Sequence, residues 1–228
     1  MGDVNDTFTN PHHENDQIPL HSVRIDSFHM GRTEVKSSWY CDFLNAELTA
    51  GAIEVVDNSY VVKAGTNVVY CDVYDAATNT RSLFVWDGSA FSVHTNREDH
   101  PANAIRWEGA VAYCNWLSRE NGYEEIYDLE TWEIDYTKRG IRLPTEAEWE
   151  YAGRGGDNYR EWAWGMNDNE DGAYGNFQET GDPYEVGDDL PHSTPVGFYN
   201  GEYHLKDDFN WPGPATGYQT HDNANRYR

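Results

Sequence analysis

Arg142-Leu143-Pro144-Thr145-Glu146-Ala147-Glu148-Trp149-Glu150-Tyr151-Ala152 is built as the start of a helix. Thr145 and Glu148 stand in the T-x-x-E spacing of a capping box. There the hydroxyl takes the amide three residues on, and the carboxylate reaches back to the cap residue's own amide. Trp149 and Ala152 are expected on the inner face, and Gly155-Gly156 is expected to end the helix. Arg142, Glu146, Glu148 and Trp149 also invite a catalytic reading, because carboxylates serve as acids and bases. The capping box already gives Glu148 a structural role, so the motif reads as scaffold.

Working outward, residues 105–121 make the clearest upstream helix. Trp107, Val111, Cys114 and Leu117 or Ser118 form an apolar stripe, and Asn121-Gly122 supplies the stop. A shorter helix is expected behind Ser37 or Ser38 as N-cap. Tyr40, Phe43, Leu44 and Glu47 then fall at i, i+3, i+4 and i+7. Residues 21–30 alternate Val23, Ile25 and Phe28 loosely with polar positions, as a strand does. Residues 53–95 are β-rich: IEVV, YVVKA, NVVYCDVY, SLFVW and AFSVH are separated by Asp57-Asn58, Ala64-Gly65 and Asp87-Gly88. Asp87-Gly88 is a good hairpin turn. This stretch reads as a small antiparallel insertion within a single domain over residues 1–228. Residues 1–20 read as polar loop, with the His12-His13-Glu14 cluster as solvated surface rather than a metal site. From Gly155 to Arg228 the chain is dominated by Gly, Asn, Asp and Pro. So long an irregular stretch needs aromatic packing, bound cations or disulfides to stay ordered.

Composition narrows the function. The 228 residues carry 40 acidic and 16 basic side chains, a formal charge of -24. Such a surface repels phosphate backbones and anionic lipid, which argues against nucleic-acid and membrane binding. The acidity fits salty or calcium-rich surroundings, secreted or periplasmic, and fits plain solubility equally. Residues 1–6 lack a signal-peptide pattern. Nine Trp and 16 Tyr among only 38% apolar residues predict an aromatic-rich core. Cys41, Cys71 and Cys114 are odd in number and lack a CxxC pair, so zinc and thioredoxin-like chemistry are not expected. Cys41 and Cys114 read as buried free thiols.

The 142–152 segment is very similar to the most characteristic motif of the formylglycine-generating-enzyme (sulfatase-modifying factor) family. Other motifs match in the same order. HSVRIDSFHMGRTEVKSSWYCDFLNA resembles the family's opening strand and first helix, with Lys36-Ser37 in place of the usual Thr-Asn. HPANAIRWEGAVAYCNWLS resembles a later helix, and WAWG, GNF and STPVGFY follow downstream. The resemblance implies a C-type-lectin-like α+β fold with few regular elements and long ordered loops. Met1-Gly2-Asp3 resembles a step that follows an initial strand in relatives, and Asn225-Arg226-Tyr227-Arg228 falls where a further segment begins in them. A domain short at both ends is therefore expected, with room for a partner chain that completes it.

The activity implied by the resemblance is oxidation of a sulfatase cysteine to formylglycine, using oxygen and a copper(I) ion held by two cysteine thiolates. Soft thiolates suit that ion. The family carries both cysteines in its C-terminal part, and Cys41, Cys71 and Cys114 match neither. Cys114 instead matches a cysteine that forms a structural disulfide in some relatives. No catalytic residue is assigned, and copper(I) is expected only in an intact domain. The resemblance also implies a calcium site at the side chain of Asn176, the carbonyl of Phe177, the side chain of Asp188 and the carbonyl of Leu190. Asp188-Asp189 leaves the register open by one. All-oxygen ligation suits this hard ion. Two other readings stand beside the oxidase: a non-catalytic lectin-like ligand- or protein-binding module, and an iron-dependent sulfoxide-forming relative, which would need a histidine-bearing helical domain.

Overall fold

Local turn chemistry lays out the first half of the molecule. The computed structural model describes residues 22–74, 81–155, 172–176, 180–185 and 193–221. Helix α1 (Ser37–Thr49) leads into a three-stranded antiparallel meander, β1 (Ile53–Val56), β2 (Tyr60–Lys63) and β3 (Val69–Asp72). Asp57 and Asn58, at φ 53 and 52, make the β1–β2 turn, and the Ser59 amide donates to the Val56 carbonyl at 3.0 Å. Short Asx side chains tolerate this left-handed region best after glycine. A hairpin follows, β4 (Phe84–Trp86) and β5 (Phe91–Val93), with Trp86 opposite Phe91. Its turn is the expected Asp87-Gly88: the Asp87 carboxylate accepts from the Ser89 and Ala90 amides, both at 2.8 Å, and Gly88 sits at φ 98.

Helix α2 (Trp107–Glu120) and helix α3 (Glu146–Gly153) complete this half. The arrangement is α+β, with small antiparallel sheets and, among the described residues, no helix longer than the 14 residues of α2. No helix among the described residues is long and apolar enough to cross a membrane.

One aromatic core holds α1, α2 and strands β1 to β5 together. Tyr40 and Phe43 of α1 meet Tyr113 of α2, stacked at 5.5 Å and edge-on at 5.7 Å. The strands add Ile53, Val61, Tyr70, Cys71, Phe84 and Phe91 to the same cluster, so residues 53–95 supply much of the main core. A second cluster under α2 joins Val111 and Cys114 to Ile126 and Tyr127. Helix α2 comes so near β3 that a Cβ on Gly109 would stand 2.3 Å from the Tyr70 carbonyl oxygen.

Three asparagines act as backbone clips. Asn45 of α1 accepts from the Phe91 amide at 2.8 Å and donates to the Phe91 carbonyl at 3.0 Å. Asn115 of α2 treats both main-chain groups of Tyr127 the same way, at 3.1 and 2.8 Å. Asn103 links the Leu83 amide and the Arg81 carbonyl. The amides of Asn45 and Asn115 thereby satisfy the main-chain groups of the buried Phe91 and Tyr127, which buried peptide groups require.

Several expectations are corrected. Residues 22–30 form no regular strand, because no described segment pairs with them. The N-cap of α1 is Lys36, without a side-chain cap. Ser37 lies inside the helix, and its hydroxyl donates to the His100 carbonyl at 3.0 Å. Trp107 is 50% exposed, since α2 turns Val111, Cys114 and Ser118 inward and begins at the surface. Trp149 is 67% exposed, because α3 buries Glu148 and Ala152 instead.

The described parts of the last third are held by rings. Tyr184, Phe198 and Trp211 are fully buried together, flanked by Phe209 and Tyr218. Around them lie β6 (Tyr203–Leu205), the single turn α4 (Lys206–Phe209) and β7 (Gly217–Gln219), with β6 and β7 antiparallel. Residues 1–20, with the His12-His13-Glu14 cluster, lie outside the described residues.

Candidate functional site

The 142–152 motif is an ion-paired brace. Both terminal guanidinium nitrogens of Arg142 donate to the two carboxylate oxygens of Glu148, at 2.7 and 2.6 Å. The same carboxylate accepts from the Thr145 amide at 2.8 Å, and Thr145 Oγ1 accepts from the Glu148 amide at 3.3 Å. Glu148 is buried, and the Arg142 hydrogen bonds above all hold its carboxyl down at about 2 against the upward push of burial. A carboxylate held ionised by three hydrogen bonds has no proton to give, and most of its acceptor sites are taken. Beside it lies an open cleft of about 310 Å³, whose other wall is the segment 23–28.

The three thiols are packed away. Cys41, Cys71 and Cys114 are free and buried. Burial pushes Cys41 up to about 11 and Cys114 up to about 12, and it pushes Cys71 further still. Thiolates are the species that attack and ligate soft metals. At neutral pH these side chains are inert thiols.

A second groove, of about 380 Å³, opens where the loop 96–100 meets residues 195–210. Lys36, Asn96, Glu98, Asp99, Asp208 and Asn210 are among its walls, with His100 at the back. His100 is 1% exposed. One ring nitrogen lies 3.3 Å from the Arg97 guanidinium and the other 3.0 Å from Ser193 Oγ. Its ring meets Tyr184 edge-on at 5.4 Å, and the Val196 amide donates to the Asp99 carbonyl at 2.9 Å. His100 therefore ties the third cluster to the start of α1, where the Ser37 amide donates to the His100 carbonyl at 2.8 Å. Burial, then Arg97, lowers its pKa to about 4. The sequence carried no signal for this joint, since His100 and Ser193 stand in separate motifs.

The sulfatase-modifying factor enzyme 1-like domain matches residues 2–207. The chain belongs to this family. Relatives named formylglycine-generating enzyme include those of Streptomyces coelicolor and Bos taurus. The first is 29% identical over 71% of this chain and 47% of its own length. The second is 29% identical over 65% of this chain and 36% of its own length. A Paenibacillus barcinonensis protein named chaperone protein LppX is 29% identical over 40% of this chain and 39% of its own length. The chain thus spans less than half the length of the curated relatives it matches.

Of the four calcium positions that the family resemblance implies, only Asn176 is described, and it is half-buried. Phe177, Asp188 and Leu190 lie outside the described residues. Close by, the buried Asp182 accepts from the Tyr199 hydroxyl and from the Tyr184 amide, while Glu185 accepts from the Thr180 and Gly181 amides, both at 2.8 Å. These two carboxylates are spent on holding the turn. Among the described residues no group of three His, Cys, Asp or Glu side chains converges on a metal position.

Proposed function

We propose that this chain is scaffold for a formylglycine-generating domain of C-type-lectin-like fold, and that the copper-binding thiolates come from outside these 228 residues. The domain would oxidise a cysteine in a sulfatase peptide. The observation that carries this is the state of Cys41, Cys71 and Cys114, each buried and each held protonated. Family membership and the relatives named formylglycine-generating enzyme supply the reaction class. A calcium ion on Asn176, Phe177, Asp188 and Leu190 belongs to the same proposal, supported by an all-oxygen donor set.

The test is oxygen uptake and aldehyde formation on a cysteine-containing sulfatase peptide with copper(I). The 228-residue chain is expected to give neither. A gene product extended past Arg228 by two suitably spaced cysteines is expected to give both. Turnover by the 228 residues alone, abolished by a Cys→Ser change at 41, 71 or 114, overturns the assignment. If no cysteine pair follows in the gene, the oxidase reading fails and a non-catalytic binding module takes its place, a reading in line with the chaperone-named relative. For calcium, chelator is expected to lower the melting midpoint, and an unchanged midpoint counts against the site.

A further inference from the structure

Trp107 is the first residue of α2, and Trp132 lies in the loop 128–134. The fold sets their rings edge to face, with centroids 6.1 Å apart at 62°. Trp107 is 50% exposed, although tryptophan is highly buried on average. Trp132 has φ +64, a left-handed conformation that a bulky residue rarely adopts. The turn is locked there. The Asp128 carboxylate accepts from the Glu130 and Thr131 amides at 2.7 and 3.1 Å, and the Trp132 amide donates to the Asp128 carbonyl at 2.7 Å. Trp132 also packs against both core clusters, which fixes the ring beside Trp107.

We propose that this indole pair is a docking ledge for a cationic peptide side chain, arginine foremost. Indole faces carry the negative end of the ring quadrupole and attract cations more strongly than the other aromatic rings. Glu108 and Glu133 adjoin the two tryptophans in sequence, and neither carboxylate has an ion pair among the described residues. The neighbouring cations are already engaged: Arg106 with Asp72 at 3.1 Å, and Lys63 with Glu130. The molecule makes the same kind of contact elsewhere, where the Lys36 ammonium lies 5.4 Å from the Trp39 ring centroid. A chain charge of -24 draws basic peptides toward the surface at long range. The flat guanidinium, which stacks on aromatic faces, fits the ledge better than a compact ammonium. This ledge uses no residue of the oxidase proposal, and its failure leaves that proposal standing.

The experiment is calorimetric titration of the 228-residue chain with short arginine-, lysine-, glutamine- and glutamate-rich peptides. The arginine peptide is expected to bind tightest and the glutamate peptide not at all. Trp107→Leu is expected to weaken the arginine peptide roughly two- to fivefold, with Trp107→Phe in between. Trp149→Leu, on α3, is expected to change nothing. If Trp107→Leu leaves affinity unchanged, the attraction is bulk charge and the ledge is overturned. Equal binding of the glutamine peptide also overturns it, in favour of an apolar partner. Melting midpoints verify that each variant is folded, and Trp107→Phe carries the test if the leucine variant is not.

Discussion

Glu148 shows how much one carboxylate can fix. It caps α3, and it neutralises Arg142 in a bidentate pair while nearly hidden from water. Its folded pKa is depressed from 4.5 to about 2, so its stabilisation is present above the unfolded value and is lost as pH falls through that window. Glu148→Gln keeps the shape and removes the charge. We expect it to cost on the order of 2 kcal/mol at neutral pH, allowing for the partly solvated Arg142. Urea titrations of both proteins should show the gap closing between pH 4.5 and 2. The cap was legible in the sequence because Thr145 and Glu148 are three residues apart and the motif is local. The outward turn of Trp149 was not. An eight-residue helix with two apolar positions has no periodicity to orient it, and the residue that pulls Glu148 inward lies ahead of the helix.

Among the elements, the contact of α2 with β3 has the least slack. A methyl on Gly109 would meet the Tyr70 carbonyl oxygen at 2.3 Å and the Tyr40 hydroxyl at 2.6 Å. Neither the strand backbone nor the buried Tyr40 ring has room to retreat. Gly109→Ala should therefore destabilise by about 1–3 kcal/mol, despite alanine's better helix propensity. Chemical denaturation measures this directly, and a stabilised variant would mean that α2 can slide. The turns at Asp57-Asn58 and Asp87-Gly88 were readable because two residues suffice to make them. Residues 22–30 were misread for the opposite reason: alternation marks a strand only when another segment supplies hydrogen bonds. The clips at Asn45, Asn103 and Asn115 were equally hidden, since each reaches a backbone 12 to 46 residues away.

Across the whole molecule, His100 stands where the two halves meet. The sequence left aromatic packing, bound cations or disulfides open as ways to order the irregular last third, and Tyr184, Phe198 and Trp211 supply ring packing where that third is described. It could not foretell where that packing meets the first half, because the junction comes from residues 93 positions apart. At the junction His100 faces Arg97 and Ser193, with Lys36, Glu98, Asp99 and Asp208 lining the adjoining groove. Its pKa falls from 6.5 to about 4. The unfolded chain thus binds the extra proton first, and stability is lost as pH falls through that interval. Protonation would also turn the nitrogen facing Arg97 into a donor against a donor. The loss should reach on the order of 2–3 kcal/mol by pH 4. His100→Gln keeps a polar group in place without titrating. It should remove most of the pH 6.5-to-4 slope in melting midpoint while leaving the steeper carboxylate-driven fall at lower pH. A slope unchanged in the variant would shift the acid sensitivity to the carboxylates alone, and the joint would then be held by ring packing of Tyr184 rather than by the neutral imidazole.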